Sequence, residues 1–405
     1  MRLRIFLCFL TIFASMPLSS QAEGNIKAVF IRDGNLWLAE GKKETRLTEG
    51  GQASDPKWSY DGRFIAYLSA EGEQRYLYIY DLQKNRSYQP YKTIETYHFE
   101  WSPDANTIAY TSRGVLNTTK TNNGIPKGFE NVSLGVSDFT WTPDGKGFIA
   151  SSQAELLPTG WGPVRLFKIK KDAALNPEKI KPFYTIKTDP DKLFAIDANH
   201  FKWSTDHKWI SFLGVPTASW SADSNTLLVL SAGGTRFQTI GKMLNQPDWF
   251  KWSPEENKIA YISGEGRFFV QDKRTSVADI PISAGQKDYT PEGYVDIDLA
   301  WLTADEVISA RAKENKDWKE GPVPELYSKL YNINIKSGIQ KQITFPKPDR
   351  MDIKPQVTGS YLTWVRKESG RLQGDVWIKK GAAGKAKVWL ERVDGAPAFY
   401  NSKQR

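Results

Sequence analysis

The feature that most constrains this chain is a short pattern, Trp-Ser-x-Asp followed by an apolar run, which recurs from Trp58 onwards. The first copy reads Trp58-Ser-Tyr-Asp-Gly and continues into the apolar residues 64–69. Asp61 can bond its own backbone and Gly62 can adopt a positive φ, so the pattern predicts two strands joined by a tight hairpin turn. Residues 76–82 alternate with period two and predict a third, half-buried strand.

Further copies of the pattern divide most of the remaining chain into units. They begin at Trp101, Trp141, Trp203, Trp220, Trp252 and Trp301. Only 17 residues separate the third and fourth of these tryptophans, too few for a four-stranded unit, so both are assigned to one irregular unit. A degenerate unit follows near Val357. Units of 40 to 50 residues are typical of four-stranded propeller blades.

The two ends of the chain complement each other. Residues 26–48 contain strand-like segments but no preceding Trp-Ser-x-Asp copy, whereas residues 395–400 resemble residues 54–59 position by position. A C-terminal strand that completes the N-terminal sheet would close a ring and remove its exposed edges. The sequence therefore predicts an all-β fold, a single β-propeller of four-stranded blades. Eight blades are expected, or seven if one degenerate unit merges with its neighbour.

The N-terminus predicts a cleaved secretory signal peptide over residues 1–22. Arg2 and Arg4 precede an apolar run that ends near Phe13, and small residues come before Glu23. A membrane-anchoring helix is the alternative, although the run is short for a bilayer. We expect residues 23–405 to form a secreted or extracytoplasmic propeller of the cell envelope, with no transmembrane segment. The only cysteine, Cys8, falls in the signal peptide, which leaves the mature chain without disulfide or thiol chemistry.

The charge of the chain bears on its partners. The formal net charge is +9, and the predicted signal peptide contributes two of these positive charges. The lysines and arginines are scattered along the repeats, which does not favour nucleic acid. A basic surplus on a secreted protein favours an envelope protein or an anionic cell-wall polymer as partner. A closed ring has no edge that demands assembly, so we expect a monomer, and no cofactor is expected.

The repeats resemble those of the TolB-like β-propellers. Copies such as Trp101-Ser-Pro-Asp and Trp141-Thr-Pro-Asp-Gly, followed by Ile-Ala-Tyr-like runs, carry the resemblance, which covers nearly the whole mature chain. The resemblance implies a propeller fold, and the same family supplies the non-catalytic propeller of prolyl oligopeptidase and dipeptidyl peptidase relatives. TolB itself has an α/β domain before its propeller, whereas here the repeats begin within a few residues of the predicted cleavage site.

One register of the repeat predicts a site at the mouth of the channel. Three residues before the repeat tryptophan the chain places Asp55, His98, Asp138, His200 and Asp298. Because the opening strand of a blade is the innermost, these side chains should converge on the axis. They could bind a cation or a polar ligand group and titrate near neutral pH. Alternatively, each could bond a backbone amide of an adjacent blade and hold the ring together. The sequence leaves a bound metal undecided.

Two insertions place tryptophans at the rim. Trp161 lies within Gly160-Trp-Gly-Pro, and Trp318 lies within the insertion of residues 313–327. An exposed tryptophan beside Gly and Pro could supply a rigid contact for a peptide or a glycan. Each could equally anchor its own loop to the blade.

The sequence contains none of the common catalytic motifs, and we therefore assign no catalytic residue. It has no Gly-x-Ser-x-Gly elbow, no His-Glu-x-x-His and no calcium-loop ladder, and only three histidines. These observations favour a secreted, non-catalytic propeller that acts as a binding or scaffold module for an envelope protein or cell-wall polymer. The alternative is an extracytoplasmic lyase or glycosidase-like enzyme that acts on an acidic carbohydrate through the Asp/His ring.

Overall fold

The structure is a computed structural model that describes residues 26–92, 94–189, 191–283 and 285–401. The predicted signal peptide, residues 1–22, lies outside the described residues. The described chain forms eight four-stranded antiparallel sheets, which are the blades of a β-propeller. Both the predicted fold and the count of eight blades are confirmed.

Blades 1 to 4 come from the two chain ends and the first half of the sequence. Blade 1 contains β1 (Lys27–Arg32), β2 (Asn35–Glu40), β3 (Lys43–Arg46) and the C-terminal strand β36 (Ala398–Phe399). Blade 2 contains β4 (Ala53–Trp58), β5 (Phe64–Glu71), β6 (Gln74–Asp81) and β7 (Arg86–Tyr88). Blade 3 contains β8 (Phe99–Trp101), β9 (Ile108–Ser112), β10 (Val115–Thr118) and β13 (Glu130–Leu134), with a small hairpin of β11 (Thr121–Asn122) and β12 (Ile125–Pro126). Blade 4 contains β14 (Asp138–Trp141), β15 (Gly147–Ser151), β18 (Val164–Lys170) and β19 (Ile180–Ile186), with a hairpin of β16 (Leu156–Leu157) and β17 (Gly160–Trp161).

Blades 5 to 8 follow in chain order. Blade 5 contains β20 (Asp197–Trp203), β21 (Trp209–Val215), β22 (Asn225–Ser231) and β23 (Phe237–Met243), with one short helix, α1 (Ala218–Ser221), between its second and third strands. Blade 6 contains β24 (Phe250–Trp252), β25 (Lys258–Ser263), β26 (Arg274–Asp279) and β27 (Lys287–Asp288). Blade 7 contains β28 (Tyr294–Trp301), β29 (Glu306–Lys313), β30 (Lys329–Asn334) and β31 (Gln340–Gln342). Blade 8 contains β32 (Arg350–Thr358), β33 (Tyr361–Glu368), β34 (Gly374–Lys380) and β35 (Lys387–Val393). Within the described ranges, 3-10 turns lie at Pro177–Lys179 and Pro247–Trp249.

Ring closure takes place as the sequence predicts. The strand β36 pairs with β1 in antiparallel register, with Phe399 opposite Ala28. The Trp58 indole N–H donates to the carbonyl of Ala398 at 2.9 Å and so links this C-terminal strand to blade 2. The two chain ends therefore share one sheet, in which β36 pairs with the inner edge of β1.

The repeat tryptophans join successive blades. The indole N–H of Trp101 donates to the carbonyl of Lys57 at 3.0 Å, and those of Trp252 and Trp301 reach the preceding blade in the same way. A tryptophan serves here because it combines a large apolar surface with a hydrogen-bond donor at its far end. The recurrence of this residue is thus explained by contacts between blades.

The aspartates of the pattern form the predicted turns. Asp61 accepts hydrogen bonds from the Ser59 hydroxyl and from the Arg63 backbone N–H, both at 2.9 Å. Gly62 has a φ of 72°, and a Cβ at this position would lie 2.6 Å from the Tyr400 ring. A left-handed backbone and a close neighbour therefore both require glycine there.

The core lies mainly between neighbouring blades. Phe64 and Leu77 of blade 2, for example, pack with Phe99 and Ile108 of blade 3, and all four side chains are buried. The turns of the repeat lie on one face of the disc. The opposite face, which we call the loop face, carries the connections between the second and third strands, and these are long in blades 4 to 7. No helix in the described part of the chain has the length and apolar character needed to cross a membrane.

Candidate functional site

A large cavity opens on the loop face between blades 3 and 4. It has a volume of about 1020 Å³ and is lined by residues 95–98, 111–114, 134–137 and 152–155. His98, at the entry to β8, lies at its inner end, where the opening strands approach the axis. This cavity, called here the blade 3–4 cavity, adjoins the predicted channel-mouth position.

His98 is held as a cation by two carboxylates. Its Nδ1 contacts the Asp138 carboxylate, its Nε2 lies 3.4 Å from Glu100 Oε1, and its ring stacks on Phe139. Burial alone would lower the pKa of His98, but the charges and hydrogen bonds of Asp138 and Glu100 outweigh burial and raise it to about 10. Both ring nitrogens are engaged. His98 is therefore a fixed positive charge at neutral pH rather than a free base.

Asp138 joins the two histidines. Its Oδ2 accepts a hydrogen bond of 2.6 Å from the backbone N–H of His200. Burial would raise the pKa of Asp138, but the neighbouring His98 dominates and lowers it. The His200 ring lies 3.0 Å from Asn245 Oδ1, and burial lowers its pKa, so it is neutral at pH 7. Asp138 is therefore a locked anion that bridges blades 3, 4 and 5.

Asp197 is the titratable group that sequence reasoning missed. It begins β20 and accepts hydrogen bonds from the Ala198 backbone N–H at 2.8 Å and from the side chains of Ser137 and Gln153. Burial raises its pKa to about 6, and the nearby charge of Asp138 acts in the same direction. Ser137 and Gln153 line the blade 3–4 cavity, so Asp197, which does not line it directly, is connected to the cavity through these two side chains. Asp197 lies outside the register that the repeats mark, and no sequence signal singled it out.

Asp298 and Asp55 lie apart from this cluster. Asp298 Oδ2 accepts a 3.0 Å hydrogen bond from the backbone N–H of Lys354, the same contact that Asp138 makes to the next blade. Lys354 in turn forms an ion pair with Asp248 at 3.3 Å, beside a small cavity of about 40 Å³. Asp55 is exposed and lies 3.3 Å from Lys57 of its own strand. The five predicted residues thus do not form one continuous ring.

These contacts match the alternative in which the predicted residues hold the ring together. Asp138 and Asp298 each bond a backbone amide of the following blade. Whether any of the five also binds a ligand stays a prediction. No group of three or more His, Cys, Asp or Glu side chains among the described residues is arranged to hold a metal ion, so we assign no metal site.

The two rim tryptophans are half-buried. Trp161 pairs with Leu156 in the β16–β17 hairpin and packs against the core of blades 4 and 5. Trp318 packs edge-on against Phe268 with ring centroids 4.7 Å apart, and Gln271 donates to its carbonyl at 2.7 Å. Both contacts fix the surrounding loops. A ligand contact by either tryptophan stays a prediction.

Comparison with known proteins identifies the fold. No protein-family model matches the sequence, and no curated protein matches it either. Among solved structures, the dihydro-heme d1 dehydrogenase NirN matches 96% of this chain and 78% of its own with a TM-score of 0.61 and 14% identity. Puromycin hydrolase matches 86% of this chain with a TM-score of 0.53 and 12% identity, and dipeptidyl peptidase 4 of Porphyromonas gingivalis matches 90% with a TM-score of 0.56 and 13% identity.

The present chain spans 55% of the length of puromycin hydrolase and 59% of that of the peptidase. At these identities the likeness establishes the propeller fold, and the finer assignment to TolB-like repeats has no matching family model.

The prediction of a non-catalytic binding or scaffold module is wrong, because the solved propellers that share this fold include those of a hydrolase, a peptidase and a dehydrogenase. The prediction rested on the lack of a linear catalytic motif. In a propeller, side chains that meet at the axis come from different blades, so a site leaves no compact motif in the sequence. His98, Asp138 and Asp197 illustrate this, since three consecutive blades supply them.

Proposed function

We propose that this protein is an enzyme that processes short peptides, with the substrate bound in the blade 3–4 cavity and Asp197 as the proton-transferring group. One observation carries the proposal. Asp197, which is hydrogen-bonded to the cavity-lining residues Ser137 and Gln153, has a pKa of about 6, while its neighbour Asp138 is held as an anion by His98. When the environments of two acidic groups separate their pKa values, the two groups can take different roles in acid–base catalysis.

The walls of the cavity suit a peptide. Arg113 and Arg165 contribute positive charge, Glu95 contributes negative charge, and Leu134 and Phe167 contribute apolar surface. A short peptide offers a carboxylate and an amine at its ends, amide donors and acceptors between them, and apolar side chains. Cavity walls that carry positive charge, negative charge and apolar patches match a short peptide better than they match a uniformly charged polymer.

The chemistry follows from the state of Asp197. Above pH 6 its carboxylate accepts a proton from a water molecule as the oxygen of that water bonds to the substrate carbonyl carbon. The protonated Asp197 then returns the proton to the amide nitrogen as the C–N bond breaks, which releases an acid and an amine. Burial is the main cause that raises the pKa of Asp197 to about 6, and the charge of Asp138 adds to it, while the role of His98 is to hold Asp138 as an anion.

The proposal also includes a TolB-like origin and an extracytoplasmic location. The Trp-Ser-Pro-Asp-Gly turns support the first, and the charged, apolar and small-residue order of residues 1–22 supports the second. The basic net charge of the chain fits a partner or surface of negative charge.

The test is hydrolysis of a defined peptide pool. Purified protein is incubated with mixed synthetic octapeptides with free termini between pH 4 and 9, and products are identified by mass spectrometry. We expect cleavage whose rate rises through about pH 6, and loss of cleavage in Asp197→Asn, which preserves side-chain size. Asp55→Asn is the matched control, since Asp55 is exposed and pairs within its own strand. Absence of both cleavage and binding of the pool, or cleavage that persists in Asp197→Asn, would overturn the proposal.

A further inference from the structure

Trp220 departs from the role that the repeat gives to tryptophan. It begins a copy of the pattern, Trp220-Ser-Ala-Asp, yet it lies in α1 between β21 and β22 instead of in an opening strand. The opening-strand tryptophans, such as Trp203, donate their indole N–H to the preceding blade. The Trp220 side chain is 58% exposed on the loop face. Its indole is therefore available to a ligand.

The segment that carries Trp220 is rigidly attached to blade 6. The Asp223 carboxylate accepts hydrogen bonds from the Arg267 guanidinium at 2.6 and 2.9 Å, and its carbonyl accepts from the Gly266 N–H at 2.8 Å. The Ser224 hydroxyl donates to Glu265 at 2.6 Å. These contacts between two blades fix the residues that follow α1 before any ligand arrives, which lowers the entropy cost of binding.

A pocket of about 360 Å³ adjoins the Trp220 side chain. Phe194, which packs edge-on against Trp220 at 5.2 Å between centroids, forms a second aromatic wall. Asp191, Lys242 and Glu265 supply polar groups around these rings. The pocket has the size and composition of a small-molecule site, with aromatic walls and a few polar groups that set orientation.

The charges around the pocket nearly cancel. The acidic groups are Asp191, Glu265 and Asp223, and the last of these is neutralised by Arg267. Among the residues that line the pocket, Lys192 and Lys242 offset the other two, and Lys192 also lies 3.9 Å from Asp189. A strongly cationic or strongly anionic ligand would therefore meet as much repulsion as attraction. A neutral ligand with many hydroxyl groups can donate to the carboxylates and accept from the ammonium groups at the same time.

We propose that this pocket binds a sugar ring. The C–H face of such a ring would stack on the Trp220 indole, while its hydroxyl groups bond the carboxylates and lysines around it. The pocket and the blade 3–4 cavity both lie where opening strands begin and where second and third strands connect, so they share the loop face. The sugar site lies beyond Asp197 and does not depend on the proposed hydrolysis.

The test is saturation-transfer difference NMR on the full mature chain with glucose, galactose, N-acetylglucosamine and maltose as probes, and tetramethylammonium as a cationic comparison. We expect at least one sugar to give signals, and its affinity to fall at least tenfold in Trp220→Ala. Phe345→Ala is the matched control, because Phe345 is an exposed aromatic residue outside the pocket, at 76% exposure against 58% for Trp220, and binding should be unchanged.

The outcomes separate this inference from the proposed function. Asp197→Asn should leave sugar binding intact even if it abolishes peptide cleavage. Because Trp220 lies on the surface, Trp220→Ala should unfold at the wild-type temperature, so a loss of binding reflects the site itself. The assignment would be overturned if sugar binding survives in Trp220→Ala, if only tetramethylammonium gives signals, or if no sugar gives signals.

Discussion

Replacing Asp138 by asparagine should destabilise the propeller far more than the same change at Asp298. Both carboxylates accept a backbone N–H from the following blade, but only Asp138 also pairs with an imidazolium. Asparagine retains an oxygen that can accept the amide hydrogen bond and removes the charge. The comparison therefore isolates the contribution of the ion pair with His98.

The magnitude follows from the pKa of His98, which rises from 6.5 to about 10 in the folded state. At about 1.4 kcal/mol per pKa unit, this shift corresponds to an upper limit of roughly 4 to 5 kcal/mol. The His98 side chain is 30% exposed, and water reduces the interaction. We expect Asp138→Asn to cost about 3 kcal/mol near pH 6. Burial raises the pKa of Asp298 and so disfavours its charged form, and Asp298→Asn should cost about 1 kcal/mol.

The dependence on pH has a definite sign. A histidine with a raised folded-state pKa contributes its full stabilisation below about pH 6.5, and this is lost as the pH rises towards about 10. The lowered pKa of Asp138 makes the stabilisation disappear again in acid. The difference between wild type and Asp138→Asn should therefore be greatest between roughly pH 4 and 6.5 and fall below about 1 kcal/mol near pH 9.5. Urea denaturation followed by tryptophan fluorescence at pH 6 and 9.5 measures it. Equal costs for the two variants, or a cost of Asp138→Asn that does not change with pH, would refute the reasoning.

Three further predictions concern the ring. Deletion of residues 396–401 should lower the melting temperature measured by circular dichroism, because β1 would lose the strand that pairs with it. The exposed edge of β1 should also cause association, which light scattering detects. An unchanged, monomeric protein would contradict ring closure. Burial lowers the pKa of Lys202 to about 7, so the stability of the wild type should rise with pH between pH 7 and 10 as this group loses its proton in the folded state. Lys202→Met lacks this group, so its destabilisation relative to wild type should grow over the same range. A difference in urea midpoints that stays constant with pH would argue against this. Arg311→Met should lower the free energy of unfolding by about 3 to 5 kcal/mol in urea denaturation, since it leaves the buried Asp296 carboxylate unpaired. Arg371→Met, which removes an exposed ion pair, should cost little. Similar losses of stability in the two variants would contradict a buried pair.

Much of the fold could be predicted from the sequence because its determinants are local. The tight turn at Asp61 and Gly62 and the alternating residues of β6 encode a blade within about 25 consecutive residues. The resemblance of residues 395–400 to residues 54–59 predicted that β36 would complete blade 1. The repeat also explained the short interval at Trp220, since the structure assigns both Trp203 and Trp220 to blade 5.

The site could be predicted only in part, because contacts between blades decide it. The residues three positions before the repeat tryptophans look alike in sequence but have two different conformations in the structure. Asp55 and His200 have left-handed backbones, with φ of 49° and 59°, at bulges of the opening strand. Asp138 instead projects its carboxylate to the next blade. The local sequence pattern does not indicate which of these two conformations a given residue will adopt.

What the sequence by itself determined is the repeated unit and the closure of the ring, because each depends on turn chemistry and periodicity within a short stretch of chain. The choice between eight blades and seven was settled by the sheets of the structure. What only the tertiary structure decided is the environment of individual side chains. Asp197 has a raised pKa because blades 4 and 5 bury it beside Asp138, and Trp220 is exposed because its copy of the pattern lies in a connection. Burial and charge proximity depend on residues that are distant in sequence and adjacent only in the assembled ring.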